Sequence, residues 1–314
     1  MSTTIAVSPD GGCNVTDLHP AEDPVVRKTG LGGSDMAAVL GVSPYRNIMD
    51  VWLEKTGRVE PFEGNVATKL GSQLEQIVAD EYAHEHGVKL QRKNITARHK
   101  VDDWAFAHID RKIVGERAAV EIKTTIDGRG WGDPYTDQVP IHILPQVHHQ
   151  LWVEDLETVD VAVWFLHRWN VQYYRVFRTP QWDDVLANAG NAFWRHHVIT
   201  DTPPQVRYDH PGAIESLRKH YGVDVSKVVT LPDRAMALHE ARKALLERRR
   251  QCDEGADALK AEIMDLMAGA WVGLLPDGSC YRQQTQERTG YTVEPSTVTD
   301  FRYMKNPPKG AISE

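Results

Sequence analysis

Cysteine is scarce in this chain. Only Cys13, Cys252 and Cys280 occur in 314 residues, far apart and with no C-x-x-C pair. That argues against a zinc site or an iron–sulfur cluster, and so few thiols suit a reducing compartment. No apolar run approaches the ~20 residues that a membrane-spanning helix needs. The start, MSTTIAVSPDGGCNVTD, lacks the basic opening and apolar middle of a secretory signal. A cytoplasmic protein is expected. Positive charge is not in excess either, since the formal net charge is −8. Bulk composition therefore does not announce nucleic acid, although basic residues gathered on one surface would still suffice to bind it. Internal repeats are absent.

What is present reads as an α/β core with appendages. Residues 1–24 are rich in Ser, Thr, Gly, Asp and Pro and carry no apolar period, so a flexible leader is expected. In RKTGLGGSDMAAVLGVSPYRN (27–47) the glycines form a tight loop, and Ser34 is expected to cap a short helix through Leu40. A second helix follows, with Ile48, Val51 and Trp52 on one face. Over 65–87, Val66, Leu70, Leu74, Ile77, Val78 and Tyr82 recur at helical spacing, with Glu75 beside the stripe and Gly87 as the stop. Strands are expected at 88–98, 104–109 and 118–125, a helix at 143–153, and a hairpin of strands at 158–168 and 171–179. Pro180 opens a helix over 180–199. This order suggests a central mixed sheet flanked by helices.

TDTPPQ (200–205) marks a boundary, so the main domain is expected at 25–206 and a helical appendage at 207–314. In that appendage 233–269 reads as one long helix. Leu238, Leu245, Cys252, Leu259 and Leu266 fall seven apart, but Arg248 and Gly255 occupy the second heptad stripe. A helix lying on another surface is a better reading than a regular coiled coil. A short hairpin and a Pro/Gly-rich tail are expected over 271–314.

The segment HIDRKIVGERAAVEIKTT (108–125) places charges inside a strand-like stretch. Side chains alternate along a strand, so Glu121 and Lys123 share a face. If 104–110 and 118–125 pair as a hairpin, Asp110 comes beside Glu121. Two carboxylates that close repel unless a cation neutralises them, and Mg²⁺ (with Mn²⁺ as a substitute) suits hard oxygen ligands and keeps waters for chemistry. Lys123 then stands where it would orient or deprotonate water attacking a phosphodiester. A bare E-x-K arises by chance roughly once in a chain of this composition. The competing account is thus an exposed Glu–Lys pair, weighed against the apolar neighbours Val120 and Ile122. A second feature is KLQRKNITARHK (89–100), basic and without an acid. Arg92 and Lys93 there suit DNA-backbone contact, and a solvated hairpin is the alternative.

Asp110, ten residues, then Glu121-x-Lys123 resembles the PD-(D/E)xK nuclease signature, with Ile109 where the family often has Pro. The wider pattern resembles the YqaJ-type viral recombinases, relatives of the lambda phage exonuclease. It is carried by RKTGLGGSDMAAVLGVSPYRN, LGSQLEQIVADEY, AHID with VEIKTT, and LPQVHHQLWV, in the family's order over about 27–200. The resemblance implies a restriction-endonuclease-like (PD-(D/E)xK) core. It implies that Asp110, Glu121 and the Ile122 carbonyl hold Mg²⁺, with Glu75 helping to hold a second ion, that Lys123 activates water, and that Gln146 lies near it. It also implies that Arg27 and Ser34 grip a 5′-phosphate. A plain helix cap for Ser34 and a solvated charge for Arg27 compete with that. The histidines His148 and His149 are adjacent on a helix and point apart, which suits packing or DNA contact rather than chelation.

The activity implied is Mg²⁺-dependent 5′→3′ digestion of one strand of linear double-stranded DNA, leaving 3′ tails for phage recombination by strand annealing. The implied partners are DNA, a single-strand annealing protein and copies of the chain in a ring (trimer or tetramer), working in the host cytoplasm if the chain is phage-encoded. The competing expectations are a site-cutting endonuclease of the same fold and a catalytically silent DNA-binding or assembly protein.

Overall fold

In the computed structural model, residues 24–60, 64–93, 95–285 and 287 are described. The expected leader lies almost entirely outside them, as does the tail beyond 287. The described residues fall into two units, one ending at Val223 and one starting at Asp224.

The first unit is built on a five-stranded sheet in the order β1 (Leu90–Arg92), β4 (Arg111–Ile113), β5 (Ala118–Thr125), β6 (Thr158–Phe165), β7 (Asn170–Phe177). The β5–β6 pair is parallel and the other neighbours are antiparallel, so the sheet is mixed. β2 (Ala97–Arg98) and β3 (Phe106–Ala107) pair separately. The helices are α1 (Pro24–Lys28), α2 (Gly33–Val39), α3 (Ile48–Lys55), α4 (Val66–His86), α5 (Leu144–Val153), α6 (Pro180–Phe193) with a π-helical extension Trp194–Ile199, and α7 (Ala213–Tyr221).

Alternation along β5 decides what each face does. Ala118, Val120 and Ile122 pack with Val78, Ala79 and Tyr82 of α4. Ala119 points the other way, toward Val147 and Leu151 of α5 and Val159, Val161 and Val163 of β6. Helices thus cover both faces of β5 and β6, and the burial of a parallel pair follows. A third cluster joins α2, α3 and α6 through Leu31, Met36, Trp52, Trp104, Trp152 and Phe193. Trp104 and Trp152 are core residues. Gly190 of α6 is required there, because a Cβ would come 2.0 Å from the Trp104 ring.

Three expectations change. The strand paired with β5 is β4, not 104–110, because Phe106 and Ala107 pair with β2 instead. The stripe on α4 is fully buried only toward its C-terminal end: Val66, Leu70 and Ile77 are exposed, whereas Val78, Ala79 and Tyr82 are buried against the sheet. The first unit also continues beyond 206. Its helix α7 is fastened to the start of α3, where Asn47 Nδ2 donates to Ser216 Oγ at 2.7 Å and Ser216 Oγ donates to Asp50 Oδ1 at 2.5 Å.

The second unit holds the long helix α8 (Arg234–Met267) and a hairpin of β8 (Val272–Leu274) and β9 (Cys280–Arg282). Among the described residues no helix is long and apolar enough to cross a membrane.

Candidate active site

Glu121 and Lys123 leave β5 on the α5 side. Glu121 is buried, so its charge needs partners. It has three. Its Oε1 accepts from Lys123 Nζ at 2.5 Å and from Gln146 Nε2 at 2.6 Å, and its Oε2 accepts from Gln150 Nε2 at 2.5 Å. Gln146 and Gln150 are one turn apart on α5, which puts both amides on the face that meets β5. Gln146 Oε1 accepts from Lys123 Nζ at 3.1 Å and closes the triangle. Gln150 Nε2 also donates to the His108 carbonyl at 3.0 Å, while its buried Oε1 has no hydrogen-bond partner.

Asp110 arrives by register. The β4–β5 ladder pairs Lys112 with Ala119 and Arg111 with Val120, then stops. One step further, Asp110 stands level with Glu121. Its Oδ2 accepts the Ile122 N–H at 2.7 Å, taking the place of a ladder bond. The shorter hairpin therefore produces the neighbourhood expected of the longer one. Burial, reinforced by the Glu121 charge, pushes the Asp110 carboxyl well above the usual carboxylate range. Burial works against the Lys123 ammonium, but Glu121 and Asp110 hold its pKa above the ordinary value. Lys123 is an ammonium at neutral pH.

Glu75 reaches this neighbourhood but is committed elsewhere. Its Oε1 accepts from Arg111 at 2.5 Å, and the same guanidinium nitrogen donates to the Asp110 carbonyl at 2.7 Å. Among the described residues no cluster of three or more His, Cys, Asp or Glu is disposed to hold a metal ion. The donor set nevertheless fits a hard cation. Asp110, Glu121 and the Ile122 carbonyl offer oxygen only, which is the chemistry of Mg²⁺ rather than of a softer metal.

The residues expected at a 5′-phosphate lie elsewhere. Arg27 is neither solvated nor open: its guanidinium pairs with Glu54 at 2.8 Å and Asp35 at 3.3 Å. Arg46 and Lys55 join the same two acids. Burial alone would raise the Asp35 carboxyl, yet Lys55, Arg46 and Arg27 hold it far below its ordinary value. Ser34 does not cap α2. The N-cap is Gly32, whose N–H donates to Asp35 Oδ2 at 3.1 Å, and Ser34 is exposed in the first turn. That turn lies close to the carboxylate site, since a Cβ on Gly33 would come 3.0 Å from the Gln146 carbonyl. Arg92 is exposed on β1 and in register with Arg111. Lys93 forms an ion pair with Glu154 at the end of α5, an acid far off in sequence that the basic run did not disclose.

His148 and His149 are packing residues. The ring of His148 stacks on Trp182, and His149 Nε2 meets the Phe106 carbonyl at 3.0 Å. Sequence reasoning missed the parts played by Gln150, Arg111 and the acid–base cluster around Asp35. The four-residue step from Gln146 signals Gln150. Arg111 gives no such signal, because its partner Glu75 is separated from it by 36 residues.

The central mixed sheet flanked by helices, with Asp110 beside Glu121 and Lys123 where the β4–β5 ladder ends, defines a mixed α/β protein. Within that class the chain belongs to the YqaJ-like viral recombinase domain family, whose model matches residues 25–157. The uncharacterized protein YqaJ of Bacillus subtilis (strain 168) is 30% identical over 254 residues, 78% of this chain and 78% of that one. Among solved structures, the chain is similar to an alkaline exonuclease (LHK-Exo) from Laribacter hongkongensis, with a TM-score of 0.47 and 16% identity over 57% of this chain and 92% of that one. It is also similar to a phage-related exonuclease from Haemophilus somnus 129PT, with a TM-score of 0.44 and 10% identity over 55% and 95% of the two chains.

Proposed function

We propose that the chain is a divalent-metal-dependent exonuclease. It digests one strand of linear double-stranded DNA from a 5′ end and leaves 3′ tails for a single-strand annealing protein. Family membership supports a role in recombination. The observation that carries the nuclease reading is the buried Glu121 joined to Lys123 and Gln146, with Asp110 level with it across the β4–β5 ladder.

In this reading Asp110, Glu121 and the Ile122 carbonyl hold Mg²⁺, and Mn²⁺ is a workable substitute. A divalent ion held there would supply Lewis-acid charge at the scissile phosphate. The chain's own groups do the rest. Lys123, already an ammonium, donates to the attacking water or to a phosphate oxygen. Gln146 fixes Lys123 and Glu121 in one plane of hydrogen bonds. Gln150 holds the far oxygen of Glu121, so that the carboxylate keeps its aim. Glu75, one of whose oxygens accepts from Arg111, would help to hold a second ion through the other. At the 5′ end, Ser34 and the first turn of α2 lie beside Gln146, and Arg27 contributes by exchanging part of its pairing with Asp35 and Glu54 for a phosphate. Arg92 adds backbone contact. A homo-oligomeric ring enclosing duplex reconciles the acidic net charge with DNA binding. A cytoplasmic site of action, that of the host if the chain is phage-encoded, goes with this reading.

The test is degradation of linear duplex carrying a 5′-phosphate against closed circular duplex of the same sequence, with and without Mg²⁺. Loss of linear DNA alone, abolished by EDTA and by Lys123→Ala, is expected. Nicking or linearising of circles would mark a site-cutting endonuclease, and binding without hydrolysis would mark a silent DNA-binding protein.

A further inference from the structure

Helix α8 presents an apolar stripe to solvent. It spans 34 residues, about 50 Å of helix, and none of them is buried. Leu238, Leu245, Leu259 and Leu266 are 63–79% exposed, and Cys252 is exposed at the centre of the row. An amphipathic stripe of this kind is stable when something covers it.

The row is symmetric about Cys252, and so is the charge, with opposite sign. Residues 234–251 hold six Lys or Arg against two Asp or Glu, a net +4, while 253–267 hold five Asp or Glu against one Lys, a net −4. A second copy of α8 laid antiparallel, with a two-fold near Cys252, meets both conditions. Leu238 then stands level with Leu266 of the second copy, and Leu245 with Leu259. The flanks match as well. Arg242 stands level with Glu262. The bulky Arg248 and Arg249 stand level with Ala256 and Gly255, which leave room for them. Gly255 thus has a use that a regular heptad repeat does not explain. A parallel pair would instead set Arg242, Arg248 and Arg249 against their own twins, which is repulsive. Part of the charge is already matched within the helix, where Arg250 pairs with Glu247 and Glu254, Lys243 with Glu240 and, at 3.8 Å, Arg249 with Asp253; the row of Leu and Cys252 itself carries no charge.

We propose that α8 is a self-association surface, on which two copies of the chain pair antiparallel about Cys252. The occupant is a second copy, because only the reversed sequence of α8 itself offers this mirror of size and charge. The pairing is independent of the nuclease reading, which concerns the first unit.

The full-length chain tests it in a background with Cys13, Cys252 and Cys280 changed to Ser. Leu238→Cys and Leu266→Cys chains carrying different tags are co-expressed and treated with a short bismaleimide. The expected result is a mixed covalent dimer several-fold above either homotypic product. A Cys252-only chain is expected to cross-link to itself, and adding Leu245→Glu with Leu259→Glu is expected to remove that product while far-ultraviolet circular dichroism keeps its helical signal. Homotypic Leu238→Cys products equal to the mixed product overturn the antiparallel arrangement. Yields no higher than those of Asp257→Cys, on the far side of the helix, overturn the pairing altogether.

Discussion

Asp110 accepts the backbone N–H of Ile122 across 2.7 Å, one residue beyond the point where β4 and β5 cease to pair. A carboxylate has replaced a strand. The chain ends a hairpin early and spends the freed amide on an acid that must stand level with Glu121.

Lys123→Ala removes the ammonium bonded to Glu121 and Gln146. Activity on linear duplex is expected to fall by at least about 100-fold, with the affinity for DNA changed by less than a few fold. Steady-state digestion and filter binding on the same preparation check both. A variant that digests at the wild-type rate removes Lys123 from the site.

Gln150→Leu takes away the donor to Glu121 Oε2 and leaves the fold's volume nearly unchanged. The residue holds a carboxylate without touching substrate, so the expected effect is a Mg²⁺ requirement raised by roughly 10- to 100-fold. The Mg²⁺ activation curve reads it. A fall in rate at saturating Mg²⁺ with no shift of that curve contradicts the positioning role.

Asp160→Asn tests stability without chemistry. Asp160 is buried on the α4 side of β6, takes two bonds of 2.7 Å from Arg175 and accepts from Tyr82 Oη at 2.5 Å. Arg175 is half exposed, so the loss is expected to be moderate, about 2 kcal/mol. Urea denaturation measures it, and the rate on DNA at 25 °C is expected to stay within a factor of two.

Stability should also fall on acidification before the carboxylates protonate. Burial pushes His148 and His149 down to about 4, against Asp137 near His148 and the Phe106 carbonyl on His149, which pull the other way. Both are neutral in the folded chain. Below pH 6.5 the unfolded chain gains their protons and the folded chain does not. Their contribution is therefore complete above pH 6.5 and is lost as the pH falls toward 4, by up to about 3 kcal/mol each. Denaturation midpoints of wild type and His149→Gln from pH 7.5 to 4.5 check the sign. Curves that stay parallel across that range would falsify it.

Much of the site was legible because its parts lie close in sequence or at fixed spacing. Strand alternation put Glu121 and Lys123 on one face, and Asp110 needed only a hairpin to join them. The mixed sheet followed from element order. The fate of the basic residues was not legible. Lys93 meets Glu154, Arg111 meets Glu75 and Arg27 meets Glu54, each an acid that only the tertiary fold delivers. Ser34 looked like a cap by residue type, but Asp35 took the Gly32 amide and moved the helix start. The stripe on α4 was periodic throughout, yet only its later members, Val78, Ala79 and Tyr82, are buried against the sheet.

The side chains bonded to Glu121 come from the short run 123–150, whereas the groups beside the first turn of α2 come from far upstream. Gly33 lies where the two meet: a Cβ there would come 3.0 Å from the Gln146 carbonyl, so a methyl group would push its neighbour aside by a few tenths of an ångström. Substitutions in the first turn of α2 can therefore accumulate without breaking the hydrogen bonds that hold Glu121, so long as position 33 keeps the smallest side chain.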